Sequence, residues 1–456
     1  YGFTPGEAKI REHLEQERPK FKKTGKEKTM FKVVLGILFL ITMFSYINNR
    51  SILSKLQKDT PSISPLLSDD STKSIAVLPF KNWSGDPELE YISDGMTDAV
   101  ISRISEIKEM DRVVPFTSSV QFKNSEKSMP ELAKTLNVFY ILEGNFQKQG
   151  SQFKINLRLN DGPLNKQIWS GSYSGEWKTN EIFEIQSKVA ENVANIMNVK
   201  LTERDYDAFT GIPTKSEEAY NYYLLAEYQN NKFNQTSFKN AIPLYEKAFA
   251  MDSTFVEPLL GLADIYVTGG AVWGLYGEQE AWRNAKFYLQ KASAIDGENV
   301  RLSDQLFVGK FYFEWDFEAV DNYAHKGADN WNEYLFVDYY IKTGKCAYAL
   351  SELNKLILED PSFGWLFAIR ASVIFFLYSA AEAKKELKHI DPLFLDDMFY
   401  LREAAKWYYY FGAYEESRLM LEKLMNSFPD RPPIVAWLNA VHFEMANNPS
   451  GVQESL

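Results

Sequence analysis

The segments AIPLYEKAFAMD (Ala241–Asp252) and AKFYLQKASAID (Ala285–Asp296) align position for position: Ala241 with Ala285, Tyr245 with Leu289, Lys247 with Lys291, Ala248 with Ala292, Asp252 with Asp296. ALSELNKLILEDPSF (Ala349–Phe363), AKKELKHIDPLF (Ala383–Phe394) and EESRLMLEKLMNSFPD (Glu415–Asp430) repeat the theme of a helix closed by Asp. A single helix pair of this kind cannot bury its own apolar face, so a chain that repeats it must stack the copies. Residues 214–447 therefore predict an all-α solenoid of about five or six units, spaced by about 34 residues, with YVTGGAVWGLYGEQ (Tyr266–Gln279) lengthening one of them.

This pattern resembles the tetratricopeptide repeat, whose second helix ends near an Asp-Pro and whose small residues let two helices pack closely. The resemblance implies a concave groove that docks a peptide or protein. Two aromatic clusters, YNYYLLAEY (Tyr220–Tyr228) and WYYYF (Trp407–Phe411), offer Tyr220, Tyr223, Tyr228, Trp407 and Tyr409 as groove residues. Most aromatic residues of such an array fill positions between helices instead. SVIFFLY (Ser372–Tyr378) is too short to span a bilayer and reads as a buried repeat helix.

Residues 74–202 have a different character. SIAVLPF (Ser74–Phe80) is a short apolar run closed by Pro79, the pattern of a buried strand. From Tyr91, Ile92, Met96, Val100, Ile101, Ile104 and Ile107 recur at three-to-four spacing, which predicts an amphipathic helix. VVPF (Val113–Phe116) reads as a second strand and PELAKTL (Pro130–Leu136) as a short helix. FYILEGNFQ, FKINLRLND and QIWSGSYSG alternate like antiparallel strands, with Asp161–Gly162 in the second turn. Glu181–Leu201 closes a mixed α/β unit with Ile182, Ile185, Val189, Val193 and Ile196 on one helical face. Several of these motifs, in order, resemble the TolB amino-terminal-like domain of bacterial envelope and signalling proteins, which implies a binding and assembly module without catalytic residues.

Candidate chemistry within this unit is sparse. WSGSYSGEW (Trp169–Trp177) lacks GxxxxGK[ST], so its glycines read as turn glycines rather than a phosphate loop. Asp94 and Asp98 lie one helical turn apart and could share a cation, but a solvated helix face explains them more simply. Cys346 stands alone and the four histidines are widely separated, which excludes an intrachain disulfide, a thiolate zinc cluster and a helical histidine pair. No nucleophile elbow or nucleotide loop is present, so the chain is expected to be no enzyme, with no cofactor and no metal site.

Ahead of the α/β unit, VVLGILFLITMFSYI (Val33–Ile47) carries no charge, and residues 33–50 read as a single transmembrane helix. Seven basic residues precede it between Arg18 and Lys32, which puts the amino end in the cytoplasm and residues 51–456 in the periplasm. Residues 51–73, rich in Ser, Asp and Pro, read as a linker. The expected fold is thus multidomain: a basic stub (1–32), an inner-membrane span, a TolB-like α/β domain and a tetratricopeptide-type solenoid.

Charge divides the chain in the same way. Residues 1–50 hold ten Lys/Arg against five Asp/Glu, whereas the rest holds 40 against 56. The acidic body is a poor nucleic-acid ligand. YGFTPGE at the start, however, resembles the end of the AraC/XylS helix-turn-helix domain, an aromatic-Gly-x-Ser/Thr-Pro-x-Glu pattern occupied by Tyr1, Gly2, Thr4, Pro5 and Glu7. Ala8-Lys9 departs from the usual Tyr-Arg continuation. The resemblance implies that the DNA-reading helices lie upstream. The resulting expectation is a membrane-anchored one-component transcriptional regulator that senses a ligand or protein, with DNA as an indirect partner and a homodimer possible. An envelope interaction scaffold without DNA binding is the alternative.

Overall fold

The run SIAV forms β1 (Ser74–Val77), buried at every position as a strand covered on both faces must be. The structure, a computed structural model, describes residues 73–428 apart from 272–274, 298 and 326–332. β1 pairs in parallel with β3 (Arg112–Val113) on one side and with β4 (Tyr140–Gln149) on the other. Two-residue β2 (Lys81–Asn82) also pairs with β4, farther along it. β4, β5 (Gln152–Asp161) and β6 (Lys166–Glu176) continue as an antiparallel meander, giving the order β3-β1-β4-β5-β6.

Two helices cover one face of this sheet, and a third covers the other. On the first face, α1 (Glu90–Ser105) and α4 (Thr179–Ile196), the latter following β6, set Ile92, Met96, Ile104, Val189 and Val193 against Leu142, Phe146 and Ile155. After β3, α2 (Phe116–Ser119) leads to α3 (Met129–Leu136), which lays Leu132, Ala133 and Leu136 over Ala76, Val114 and Ile141 on the second face. Each such side chain is worth about 1.5–3 kcal/mol when buried. Packing therefore outweighs capping for α1, whose amino end has no side-chain cap.

Gly162 lies in the turn expected for it, whereas the glycines of WSGSYSGEW work differently from the sequence expectation. At Gly162 a Cβ would come 2.5 Å from Ala133 Cβ, while Asn165 takes the left-handed conformation of that turn. Gly171 and Gly175 are not turn glycines at all. They lie inside β6, where the Trp169 ring folds over Gly171 and leaves no room for a side chain.

After α5 (Glu203–Thr210) every element among the described residues is a helix. Its consecutive pairs are α6 (Glu217–Asn230) with α7 (Gln235–Met251), α8 (Glu257–Ala271) with α9 (Glu278–Ile295), and α10 (Val300–Gly309), extended by a π-turn, with α11 (Phe317–His325). They continue with α12 (Glu333–Lys342) and α13 (Cys346–Glu359), α14 (Gly364–Leu377) and α15 (Ala380–Ile390), then α16 (Met398–Tyr410) and α17 (Tyr414–Ser427). Polar side chains open several of them: Ser216 accepts from the Ala219 amide, Asn234 from Ser237 and Asp397 from Tyr400. The first two pairs are longer than the rest, starting at residues 217 and 257 before the third begins at 300.

The recurrent aspartates tie the helices to their surroundings. Asp252 accepts a hydrogen bond from Thr214 Oγ1 at 2.6 Å, and Asp360 accepts one from Ser118 Oγ of α2 at 2.6 Å. Asp391 accepts from both Tyr400 Oη (2.7 Å) and Tyr408 Oη (2.6 Å). Asn137, just past α3, donates to the Leu358 carbonyl, so the α13 end rests on the α/β unit. Phe233, between α6 and α7, meets Phe399 of α16 with ring centroids 5.4 Å apart. Among the described residues the array thus curls until its last pair touches its first.

One tight crossing gives a direct test. A Cβ on Gly309 would overlap the Trp282 ring, which stacks on Phe313 and donates from Nε1 to Glu314 at 2.8 Å. Gly309→Ala is expected to lower stability by about 1–3 kcal/mol in urea unfolding. An unchanged midpoint would show that the indole moves aside freely.

The fold class and the location expected from the sequence need correction. Residues 33–50 and the Tyr1–Glu7 motif lie outside the described residues. Among those described, no helix is long and apolar enough to cross a membrane. The described architecture is a mixed sheet and a helical array, so single-pass inner-membrane placement is withdrawn.

Candidate functional site

Helix α1 has a second face that packs. Gly95 lets it approach α6 so closely that a Cβ there would come 2.5 Å from Leu224 Cδ2. Asp94 and Asp98, on either side of that contact, are consequently not on a solvated surface. Asp94 is buried and pairs with Lys123 Nζ at 2.5 Å, and Glu90 pairs with the same amine. Burial raises the Asp94 pKa, with Lys123 opposing the shift.

Asp98 opens into a cleft of 310 Å³ between the α/β unit and the array, whose lining includes Tyr220, Tyr223, Glu227, Glu257 and Arg301. Burial, then the nearby charge of Glu227, pushes the Asp98 carboxyl up to about 7, while Arg301 opposes the shift. Glu227 accepts a hydrogen bond from Tyr245 Oη at 2.8 Å inside the array. Burial disfavours the Arg301 cation, but Glu227, Tyr223 and Asp264 more than offset this and hold it charged. Burial also raises Glu257. On the wall, Gln186 Nε2 of α4 donates to Tyr220 Oη at 3.1 Å, and Tyr220 sits edge-on to Phe183 at 5.0 Å.

Carboxyls displaced from their ordinary range beside a guanidinium, in a cleft between two parts of a fold, mark a functional-site candidate. The geometry suits recognition of a polar group by carboxylates, a cation and aromatic walls. It offers no nucleophile paired with a base.

Of the aromatic residues singled out in the sequence, Tyr220 and Tyr223 meet at this cleft, their rings stacked at 6.4 Å. Tyr228 lines an adjoining recess with Asp94, and Lys232 Nζ lies 4.2 Å from its ring centre. Trp407 and Tyr409 belong to another cluster on α16, Trp407 beside Phe376 and Phe411, Tyr409 beside Tyr414. Sequence reasoning missed Glu227 and Arg301. Their one signal was a charge set within helices otherwise rich in apolar residues.

A second cleft, of 380 Å³, lies at the carboxyl end of β1, beside Leu78 and Pro79. Lys81, Lys127 and Arg158 line it but are exposed, and Lys123 is committed to Glu90 and Asp94. Its chemistry is that of a solvated basic rim.

Residues 71–192, which contain the sheet with α1 and nearly all of α4, match the family described as HilA/YgeH-like transcriptional regulator, second domain. This segment is transcription-regulator-like. Over 195 residues the chain is 28% identical to a Rhizobium meliloti (strain 1021) protein named "Putative adenylate cyclase 3". That match covers 43% of this chain and 33% of the relative, so the chain accounts for about a third of the relative's length. Among solved structures, lipoprotein GNA1162 from Neisseria meningitidis is 21% identical, with 27% of this chain and 98% of that one covered and a TM-score of 0.22. PelC from Paraburkholderia phytofirmans is 16% identical, with coverages of 28% and 88% and a TM-score of 0.20.

Proposed function

We propose that this chain is the regulatory body of a transcriptional regulator. In this reading the helical array, which we take as tetratricopeptide-like, docks a peptide or protein. The cleft between α1, α6 and α10 passes the bound state to the α/β unit. A helix-turn-helix unit, to which the YGFTPGE motif would belong, makes the DNA contact. The observation that carries the reading is the match of residues 71–192 to the second domain of a transcriptional-regulator family. The acidic charge of residues 51–456 supports assigning DNA contact elsewhere, and the shifted groups around Asp98 support placing the relay at the cleft.

Genome-wide occupancy of the full-length protein, measured alongside transcripts, tests this. Occupancy of particular promoters is expected, with Glu227→Gln altering transcript levels while occupancy persists. No promoter occupancy, together with unchanged transcripts on gene deletion, would leave a scaffold without DNA binding as the function. The likeness to the cyclase-named protein supports a second reading, in which the same body regulates cyclic-nucleotide synthesis. Formation of cyclic AMP from ATP by the full-length protein would favour it.

A further inference from the structure

The groups lining the 310 Å³ cleft divide into those already bonded and those that are not. Arg103 donates to the Gly211 carbonyl at 2.8 Å and pairs with Glu106 at 3.3 Å, and Glu227 is engaged by Tyr245. Among the described residues, Asp98, Tyr223 and Arg301 make no hydrogen bond and no ion pair, and their polar atoms are not sealed into the packing either. A mostly buried guanidinium without an ion pair is uncommon, because taking it out of water is costly unless a partner compensates. Glu227 and Asp264 hold its charge without closing on it.

The free groups form two poles. Asp98 on α1, Glu227 on α6 and Glu257 at the start of α8 make an acidic one. Burial holds Asp98 and Glu257 toward their neutral forms, and a cation beside them would favour the ionised ones. The opposite pole is Arg301 in the first turn of α10, where the guanidinium and the positive end of the helix both favour a carboxylate. Since Arg103 and Glu106 neutralise each other, three carboxyls face one guanidinium across the cleft. Tyr220 and Tyr223 line the wall, a surface for an apolar stem or a flat cation. The volume lies at the small end of the range of about 300–1,000 Å³ for ligand pockets, which suits a metabolite and not a folded partner.

We infer that this cleft binds a free basic amino acid, its carboxylate held by Arg301 and its cationic groups by Asp98, Glu227 and Glu257. An amine without a carboxylate would leave Arg301 unpaired, and a phosphate or dicarboxylate would meet three carboxyls. A basic amino acid serves both poles, and its net positive charge matches the acidic excess of the lining. Such a ligand would clamp α1 of the α/β unit to three helices of the array. The inference rests on reading the cleft as the relay and names the molecule that sets it.

The test is calorimetric titration of the full-length protein with L-arginine and with agmatine, the same cation without the carboxylate. L-arginine is expected to bind about tenfold or more tightly than agmatine. Asp98→Asn, which removes a charge that burial opposes and so keeps the fold, should weaken both probes about tenfold or more. Arg301→Gln should weaken L-arginine alone and so erase the difference between the two. No binding of L-arginine, equal binding of agmatine by the wild type, or indifference to Asp98→Asn overturns the inference. Loss of binding while Glu227→Gln still alters transcripts would strike this ligand and leave the regulatory reading standing. Binding without promoter occupancy would do the reverse.

Discussion

Asp391→Ala is expected to destabilise the protein by about 3 kcal/mol, among the largest single-residue effects available outside the apolar core. Its carboxylate receives the hydroxyls of Tyr400 and Tyr408, both 0% exposed, and alanine would leave Tyr408 without an acceptor and Tyr400 with only the Leu387 carbonyl at 3.4 Å. Each orphaned group costs about 1–3 kcal/mol, whereas removing donor and acceptor together is nearly neutral. The triple variant Asp391→Ala/Tyr400→Phe/Tyr408→Phe should therefore recover much of the loss, a non-additivity that chemical unfolding of the four proteins would show. Simple addition of the three losses would mean that Asp391 acts through the turn backbone and not through its tyrosines.

Asp98→Asn should have an effect that changes with pH. Burial and Glu227 raise the folded carboxyl from 3.8 to about 7, so folding favours its neutral form. Below about pH 4 the group is protonated folded or unfolded, and asparagine should change little. Between about pH 4 and 7 the unfolded chain loses the proton first and wild-type stability falls; above about 7 the full cost of the buried charge is present. Asparagine avoids that cost. Near pH 8 the variant should be more stable by about 1–3 kcal/mol, a range set below the full linkage value because water at the cleft mouth screens the charge. Thermal unfolding at pH 4, 6 and 8 measures the trend. Equal gains at all three values would show that Asp98 does not titrate in this window.

The same residue shows where sequence reading stops. Ile92 and Met96 correctly marked the side of α1 that faces its own sheet, because local periodicity reports a helix's first burial partner. Periodicity carries no information about a second partner that arrives more than a hundred residues later, and α6 covers Asp94 and Asp98 from that side. The three antiparallel runs were legible from alternation, down to the turn at Asp161–Gly162. The glycines of β6 were not, since their cause is the Trp169 ring above the strand and not a turn in the backbone. Closing aspartates announced helix ends, and their hydrogen-bond partners were invisible because Ser118 and Tyr408 belong to other elements. Among the aromatic residues, composition found Tyr220 and Tyr223, but only tertiary packing separated them from Trp407 and Tyr409. The cleft charges Glu227 and Arg301 come from helices whose meeting no local pattern encodes.

The contact of Phe233 with Phe399, and of Asn137 with the Leu358 carbonyl, alters how such an array should come apart. An open solenoid loses terminal repeats one at a time, since each touches only its neighbours. In a closed one, releasing α16 exposes the turn between α6 and α7 as well, and releasing the α13 end frees a side of the α/β unit. Unfolding should then be a single cooperative event, with amide exchange in the first and last helical pairs slowing together. Such a chain would tolerate the removal of α16 and α17 poorly, and a partner that pried one of the touching pairs loose would be felt at the other at once.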